Sequence, residues 1–180
     1  MKVKRMILSV FSLLVAGILS GCSSSKSPDV TDNIRKSLDQ AGFKDVSVSE
    51  DRDKGVVTLT GSVPTDSDKQ QAESIAKSTA ASLVVADQIS VRPPGNESEA
   101  KTVDADLDKA IEKNLDATLV KHRLKKNVKY DVKNGVVTLT GDVASQAKRE
   151  QVEKLAASVP NVKQVVNEIE VKGQKATSTS

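Results

Sequence analysis

The feature that most constrains this chain is a nine-residue segment that occurs twice. Residues 55–63 read GVVTLTGSV and residues 135–143 read GVVTLTGDV, so eight of the nine letters agree at a spacing of 80 residues. In each copy the side chains alternate as in a β-strand, with Val57 and Leu59 on one face and their neighbours on the other. A match of this length indicates an internal duplication. The 180 residues are therefore predicted to form two small domains.

The residues around each copy predict the order helix, strand, strand, helix, strand. In the first copy, Gly42 is placed to end the first helix, and Val46 and Val48 alternate as in a strand. Thr65 and Asp68 have the spacing of a capping box at the start of the second helix. The inward positions predicted for the two helices and the closing strand are Val30, Ile34, Leu38, Ala41, Ala72, Ile75, Ala76, Thr79, Val85, Ile89 and Val91.

The second copy repeats this plan, with a first helix predicted over about residues 104–121. Its apolar stripe consists of Leu107, Ile111, Leu115 and Leu119. On the apolar face of the last strand stands a polar residue, Asn167, and Asp87 has the same place in the first copy. Because buried polar groups are normally hydrogen-bonded, we predict that these two side chains satisfy backbone groups and do not hold a ligand.

The N-terminus predicts a lipoprotein signal peptide over residues 1–21. A basic start precedes an apolar run over residues 6–19 that is short for a membrane-spanning helix. The run ends in LSGC, which matches the bacterial lipoprotein box and predicts cleavage between Gly21 and Cys22, with acylation of the Cys22 thiol. The alternative is an ordinary secretory peptide with an incidental cysteine. Since Cys22 is the only cysteine, no disulfide can form within one chain.

The residues after the cysteine predict a destination and a tether. Ser23 stands where an inner-membrane retention signal has Asp, so the sequence lacks that signal, and the resemblance to bacterial lipoproteins implies the outer membrane, facing the periplasm. Residues 22–28 have the composition of a short flexible tether. Two or three acyl chains would anchor the protein stably, whereas one chain gives only marginal binding.

The repeated strand, the order of elements and the late Val-x-Asn-x-Ile pattern resemble the BON domain of bacterial osmotically inducible and nodulation proteins. The resemblance implies an α+β fold of two tandem αββαβ domains, each a small mixed three-stranded sheet covered by two helices. Together with the lipoprotein box, it resembles the dual-BON outer-membrane lipoproteins of Gram-negative bacteria. It implies a role in envelope integrity or stress tolerance. It further implies that anionic phospholipid, such as phosphatidylglycerol, binds at the first helix of the second domain.

The predicted division is residues 29–92 and 103–172 for the two domains, a linker at 93–102 and a disordered tail at 173–180.

Composition argues against catalysis and against nucleic-acid binding. The one histidine, His122, lies in a basic run without a nucleophile motif, and one histidine with an acylated cysteine cannot form a metal cluster. We therefore predict neither an enzyme nor a cofactor nor a metal site. Without the three basic residues of the signal peptide, the 27 basic residues become 24, equal to the 24 acidic ones, so no global charge favours nucleic acid.

The charge of the two repeats differs in a way that favours the second for an anionic surface. Residues 29–92 carry 8 basic and 11 acidic residues, a net charge of −3, whereas residues 103–172 carry 13 and 11, a net charge of +2. Each basic residue near an anionic membrane contributes on the order of 1 kcal/mol. Because the apolar stripe of the helix is needed for the core, the predicted phospholipid-binding residues are on its flanks and in the following basic run: Lys113, Ala117, Val120, Lys121, Arg123, Lys125 and Lys126.

Two alternatives remain open at this stage. The basic run could be a solvated helix end whose charges complement the helix dipole. The protein could also be an interaction scaffold that recruits envelope assembly or cell-wall enzymes through a domain surface, without lipid recognition.

Overall fold

The computed structural model describes residues 30–173, which form two α+β domains with the same order of elements. The first consists of α1 (Val30–Gln40), β1 (Val46–Asp51), β2 (Val56–Val63), α2 (Asp66–Thr79) and β3 (Val84–Val91). The second consists of α3 (Glu97–Lys121), β4 (Val128–Lys133), β5 (Val136–Val143), α4 (Gln146–Ala157), β6 (Gln164–Asn167) and β7 (Glu170–Val171). The predicted αββαβ order is confirmed in both domains.

Each repeated segment forms the central strand of a mixed sheet. In the first sheet β2 pairs antiparallel with β1 and parallel with β3. In the second sheet β5 pairs in the same way with β4 and β6, and β7 continues the line of β6 in the same register along β5. The closing strand of the second domain is thus interrupted where the closing strand of the first domain is continuous.

The helices of each domain cover one face of its sheet. In the first core, Ile34 and Leu38 of α1 and Ala72 of α2 pack against Val57 and Leu59 of β2. The capping box predicted at the start of α2 is present, since the Thr65 side chain accepts from the Asp68 N–H while the Asp68 carboxylate accepts from the Thr65 N–H. The second core is built in the same way from α3, α4 and β5.

The opposite faces of the two sheets pack against each other. Val56, Val84 and Ala86 of the first domain form one buried cluster with Val136 and Val166 of the second. Polar contacts surround this cluster, which is centred on β2, β3, β5 and β6. The two domains therefore share an interface, which was not predicted from the sequence of either repeat.

Polar side chains complete the interface at its margins. Gln164 pairs with the free edge of β3, accepting from the Asp87 N–H at 3.1 Å and donating to the Val85 carbonyl at 2.8 Å. Lys54 Nζ lies 2.6 Å from Glu168 Oε2, and this contact raises the pKa of Lys54. The two bonds of Gln164 satisfy backbone groups that the edge strand β3 would otherwise expose.

Two expectations differ from the structure in the second domain. Helix α3 begins at Glu97 and not near residue 104, so residues 97–102 of the predicted linker are helical. Leu107, predicted on the core stripe, is 37% exposed, whereas Ile111, Leu115 and Leu119 are fully buried. The extra turns add no residue to the second core, and the turn that follows them contacts the first domain, where Asp104 accepts a hydrogen bond from Ser90. The predictions for residues 1–21, for Cys22 and the tether, and for the tail beyond Gly173 lie outside the described residues.

Candidate functional site

The end of α3 is shaped by a reversal of the chain at Arg123. The Leu124 N–H donates to the Leu119 carbonyl at 2.8 Å and the Arg123 N–H donates to the Val120 carbonyl at 3.0 Å, the two bonds of a Schellman motif. Arg123 has the left-handed conformation of this motif, with φ of 58°. In the first domain Gly42 has that position, with φ of 94°. The reversal buries Leu124 and turns the basic residues on either side of it outward.

The predicted phospholipid-binding residues of α3 lie on one exposed face. Lys113, Ala117, Val120 and Lys121 follow the spacing i, i+4, i+7, i+8 of a single helical face, and all four are exposed. Val120 is an apolar side chain with 57% of its surface exposed. The face therefore combines an apolar centre with basic side chains at its margins.

Beyond the helix, the reversal brings more basic residues beside Val120. Val120, Arg123, Lys125 and Lys126 line a shallow groove of about 380 Å³. Of the four residues, Arg123 and Lys126 have no salt-bridge partner in the described part of the chain, and the same is true of Lys121. The structure thus brings four of the seven predicted residues together in one groove, whereas Lys113 and Ala117 lie one to two turns earlier on the same exposed face of α3.

Lys125 differs from the other basic residues of this end because its exposed side chain has an acidic partner. Its ammonium forms an ion pair with Asp116 and lies 4.5 Å from the centre of the Tyr130 ring. The Tyr130 hydroxyl donates to Asp116 Oδ1 at 3.0 Å. The hydrogen bond with Asp116 raises the pKa of Lys125, and the hydrogen bond with Lys125 lowers the pKa of Asp116. The charge of Lys125 is therefore matched locally.

Asp116 and Tyr130 were not predicted as part of this site. Asp116 precedes Lys125 by nine residues, so no helical spacing connects them. Only the Schellman reversal and the entry of β4 bring them together. The one signal in the sequence is that Tyr130 is the only tyrosine of the chain and stands in a strand whose other apolar residues are valines.

The two buried polar residues of the closing strands have the structural role predicted for them. Asn167 Oδ1 accepts from the Ile169 N–H at 3.2 Å, and Asp87 Oδ1 accepts from the Ile89 N–H at 3.1 Å. Asn167 also donates to Glu153 at 2.8 Å, and Asp87 lies 3.7 Å from Lys69 Nζ.

A second, smaller cleft lies between α3 and the turns that precede β5 and β6. It has a volume of about 190 Å³, and Leu107 and Lys163 are on its wall. Asp108 is already used in this cleft, because its two carboxylate oxygens accept from the N–H groups of Asn134 and Gly135, each at 2.8 Å. The residues that the structure describes contain no group of three or more His, Cys, Asp or Glu side chains suited to a metal ion.

Across residues 30–173, no helix has the length and apolar character needed to span a bilayer. The longest, α3, carries charged residues along its whole length.

Comparison with known proteins finds the same two-part organisation. The sequence model of the BON domain matches residues 26–93 and 104–173. Osmotically-inducible protein Y of Escherichia coli (strain K12) is 30% identical over 146 residues, which are 79% of this chain and 71% of that protein. An uncharacterized protein of Anaplasma centrale, from the gshII 5′ region, is 30% identical over 145 residues, 79% of this chain and 92% of that protein.

Among solved structures, the C-terminal domain of CdsD, the structural protein of the type III secretion system of Chlamydia trachomatis, is similar over 80% of this chain and 98% of that chain. The sequence identity is 17% and the TM-score is 0.34. A likeness at this level carries no argument about function.

Proposed function

The chain belongs to the BON domain family, and from this premise we propose that it is a lipid-anchored periplasmic protein of the outer membrane. Its second domain binds anionic phospholipid, and the protein supports tolerance of osmotic or envelope stress. The stress role is proposed from the 30% identity to an osmotically inducible protein. The proposed action is binding, without catalysis.

One observation carries the lipid-binding proposal. Exposed Val120 is surrounded by the basic side chains of Lys121, Arg123 and Lys126, none of which has a salt-bridge partner among the described residues. An apolar side chain in the headgroup region with unpaired cations beside it is the arrangement by which peripheral proteins bind anionic bilayers. The first domain has Gly42 where the second has Arg123, and it has a net charge of −3.

The proposed anchor increases the effect of this weak site. Only seven residues lie between Cys22 and Val30, so this segment can span at most about 30 Å. The first domain starts within that distance of the anchor and packs against the second domain, so the second domain meets the bilayer at a high effective concentration. A binding energy of a few kcal/mol is then sufficient for attachment.

Co-sedimentation with vesicles tests the proposal. A chain that starts at Ser23 lacks the anchor and retains every described residue. We expect it to bind phosphatidylglycerol vesicles but not phosphatidylcholine vesicles, and to be released by salt. A triple variant with Lys121→Glu, Arg123→Glu and Lys126→Glu should lose binding by at least about 100-fold, since each reversed charge costs on the order of 1 kcal/mol or more.

The control has the same change of charge elsewhere. Lys36, Lys44 and Lys172 are exposed lysines outside the α3 site, and their triple replacement by Glu should retain most of the binding. Equal loss in the two triple variants would mean that only net charge matters. Absence of binding by the wild-type chain at low salt would contradict the proposal.

The scaffold alternative is favoured by a different observation. Val103 is 57% exposed and Leu107, one turn further along α3, is 37% exposed, so an apolar contact surface is available away from the basic end. Crosslinking in the periplasm through residue 103 should then capture one defined envelope protein. A lipid-binding protein without such a partner would give none.

A further inference from the structure

Lys125 is held by Asp116 and Tyr130 in a cluster that belongs to the second domain only. From this geometry, and resting on the proposed lipid binding, we propose that Asp116 is an internal counterion that competes with anionic headgroups for Lys125. Lys125 then binds lipid together with Lys121, Arg123 and Lys126 only at a surface whose charge density is high enough to displace Asp116. The cluster therefore sets the density of anionic lipid that the domain requires.

The cluster is formed by the fold rather than by local sequence. Asp116 is on α3, Lys125 follows the Schellman reversal, and Tyr130 is on β4. Lys125 Nζ contacts the Asp116 carboxylate and lies 3.3 Å from the Tyr130 hydroxyl, which itself donates to Asp116. All three side chains thus contact one another, and the Lys125 ammonium is paired with a carboxylate of α3.

The pair is exposed enough to exchange partners. The side chains of Lys125 and Asp116 retain 45% and 43% of their accessible surface. Solvent-exposed ion pairs are weak and screened by salt, so a dense array of phosphates can replace a single carboxylate. Release also has a cost, because the freed Asp116 carboxylate remains beside the anionic surface.

The corresponding positions of the first domain lack this arrangement. When the two Schellman motifs are aligned, Lys44 corresponds to Lys125 and Arg35 corresponds to Asp116. Val48 stands where the second domain has Tyr130. A basic residue that follows the first helix is thus common to both domains, and the counterion is a property of the second.

The composition provides a direct optical probe. The chain contains one tyrosine and no tryptophan, so emission excited at the tyrosine band comes from Tyr130. Loss of Lys125 from the cluster changes the hydrogen bonds and the charge at the phenol. We expect Tyr130 emission to change when phosphatidylglycerol vesicles are added to the chain that starts at Ser23. Phosphatidylcholine vesicles, or inorganic phosphate at equal ionic strength, should have no such effect.

The decisive variant is Asp116→Asn, measured over vesicles of rising phosphatidylglycerol fraction. Removing the competitor should raise the affinity about fivefold, the effect of one additional basic residue at an anionic surface. Asp106→Asn is the matched control, because Asp106 is exposed on the same helix and paired with Lys109 at 3.4 Å. It lies about 15 Å along α3 from Asp116, beyond the screening length at physiological salt. Its affinity should therefore change less than about twofold.

The outcomes separate this inference from the proposed function. The wild type could bind vesicles while the two Asn variants gain affinity equally, or while Tyr130 emission stays unchanged. Either result would refute the role of Asp116 as a counterion and leave the proposed lipid binding intact. An emission change with inorganic phosphate as large as that with vesicles would overturn the assignment to a membrane surface. No binding by either the wild type or the Asp116→Asn variant would refute both proposals.

Discussion

Asp87 and Asn167 have the same place in the two domains but different chemistry. Both accept from the N–H two residues later, and both lie on the apolar side of the closing strand. Burial raises the pKa of the Asp87 carboxyl group, an effect opposed by the charge of Lys69. An amide at position 167 makes the same backbone hydrogen bond without a buried charge. Burial of the charged Asp87 therefore reduces the folding stability of the first domain at neutral pH, and the second domain has no such loss at position 167.

Replacement of Asp87 by Asn should stabilise the first domain at neutral pH. The folded pKa of Asp87 is above its unfolded value, so the folded state binds more protons between the two values and its stability falls as pH rises through that window. The variant removes this loss and keeps the acceptor for the Ile89 N–H. Lys69 retains its 2.6 Å bond to the Ile89 carbonyl.

Thermal unfolding at several pH values measures this effect. The gain in midpoint for Asp87→Asn should be largest at neutral pH and should vanish below the usual carboxyl range, where Asp87 is protonated in both states. A variant that is less stable than the wild type at neutral pH would show that the Lys69 ion pair outweighs the burial of the carboxylate.

At the scale of the elements, two features explain why the central strand has nearly the same sequence in both domains. Its side chains are packed on both faces, and its second glycine lies close to a neighbouring backbone. Gly141 is opposite Val128 in the sheet, and a Cβ at Gly141 would lie 2.1 Å from the Asn127 carbonyl oxygen. The equivalent Gly61 would meet the Asp45 carbonyl oxygen at the same distance. The repeat is therefore a requirement of the fold.

Gly141→Ala should destabilise the second domain by at least about 3 kcal/mol, or prevent its folding, because backbone atoms must move to admit the methyl group. Gly95→Ala is the control. Both glycines have positive φ, 117° and 85°, but a Cβ at Gly95 would have no atom within 4 Å. The control should cost about 1 kcal/mol, the cost of the backbone conformation alone. Urea denaturation of the two variants compares them. Equal losses would show that the close approach is not what requires glycine at position 141.

The sequence predicted the elements well where a repeating pattern was strong. Each helix and strand of the first domain and the capping box at Thr65 were predicted from spacing alone. The start of α3 was not, because residues 96–102 are polar and lack an inward stripe. Those turns do not cover the second core, so helical periodicity could not reveal them. The ion pair of Asp116 and Lys125 was missed for a similar reason, since it depends on a chain reversal.

For the whole molecule, the important feature is that the two sheets bury their outer faces on each other. A signal for this was present in the paired valines of the repeat, since apolar residues in succession are typical of a strand buried on both faces. Val56 and Val57 are both buried, one in the interface and one in the core. The predicted core used only the valines that face the helices, so the packing of the two domains on each other was not predicted.

Replacing Val166 by Asp should separate the two domains without unfolding either of them. Val166 is fully buried in the cluster between the sheets and does not belong to the core of the second domain. A carboxylate there would be unpaired and desolvated in the closed arrangement, and separation of the sheets would return it to water. We therefore expect a larger radius of gyration in small-angle scattering and two thermal transitions in place of one. Val103→Asp, the same change at an exposed position, should alter neither measurement.

A single transition at lower temperature with an unchanged radius would mean that the variant is destabilised as one unit. The domains would then depend on their interface to fold, and the basic end of α3 would have a fixed orientation relative to the first domain.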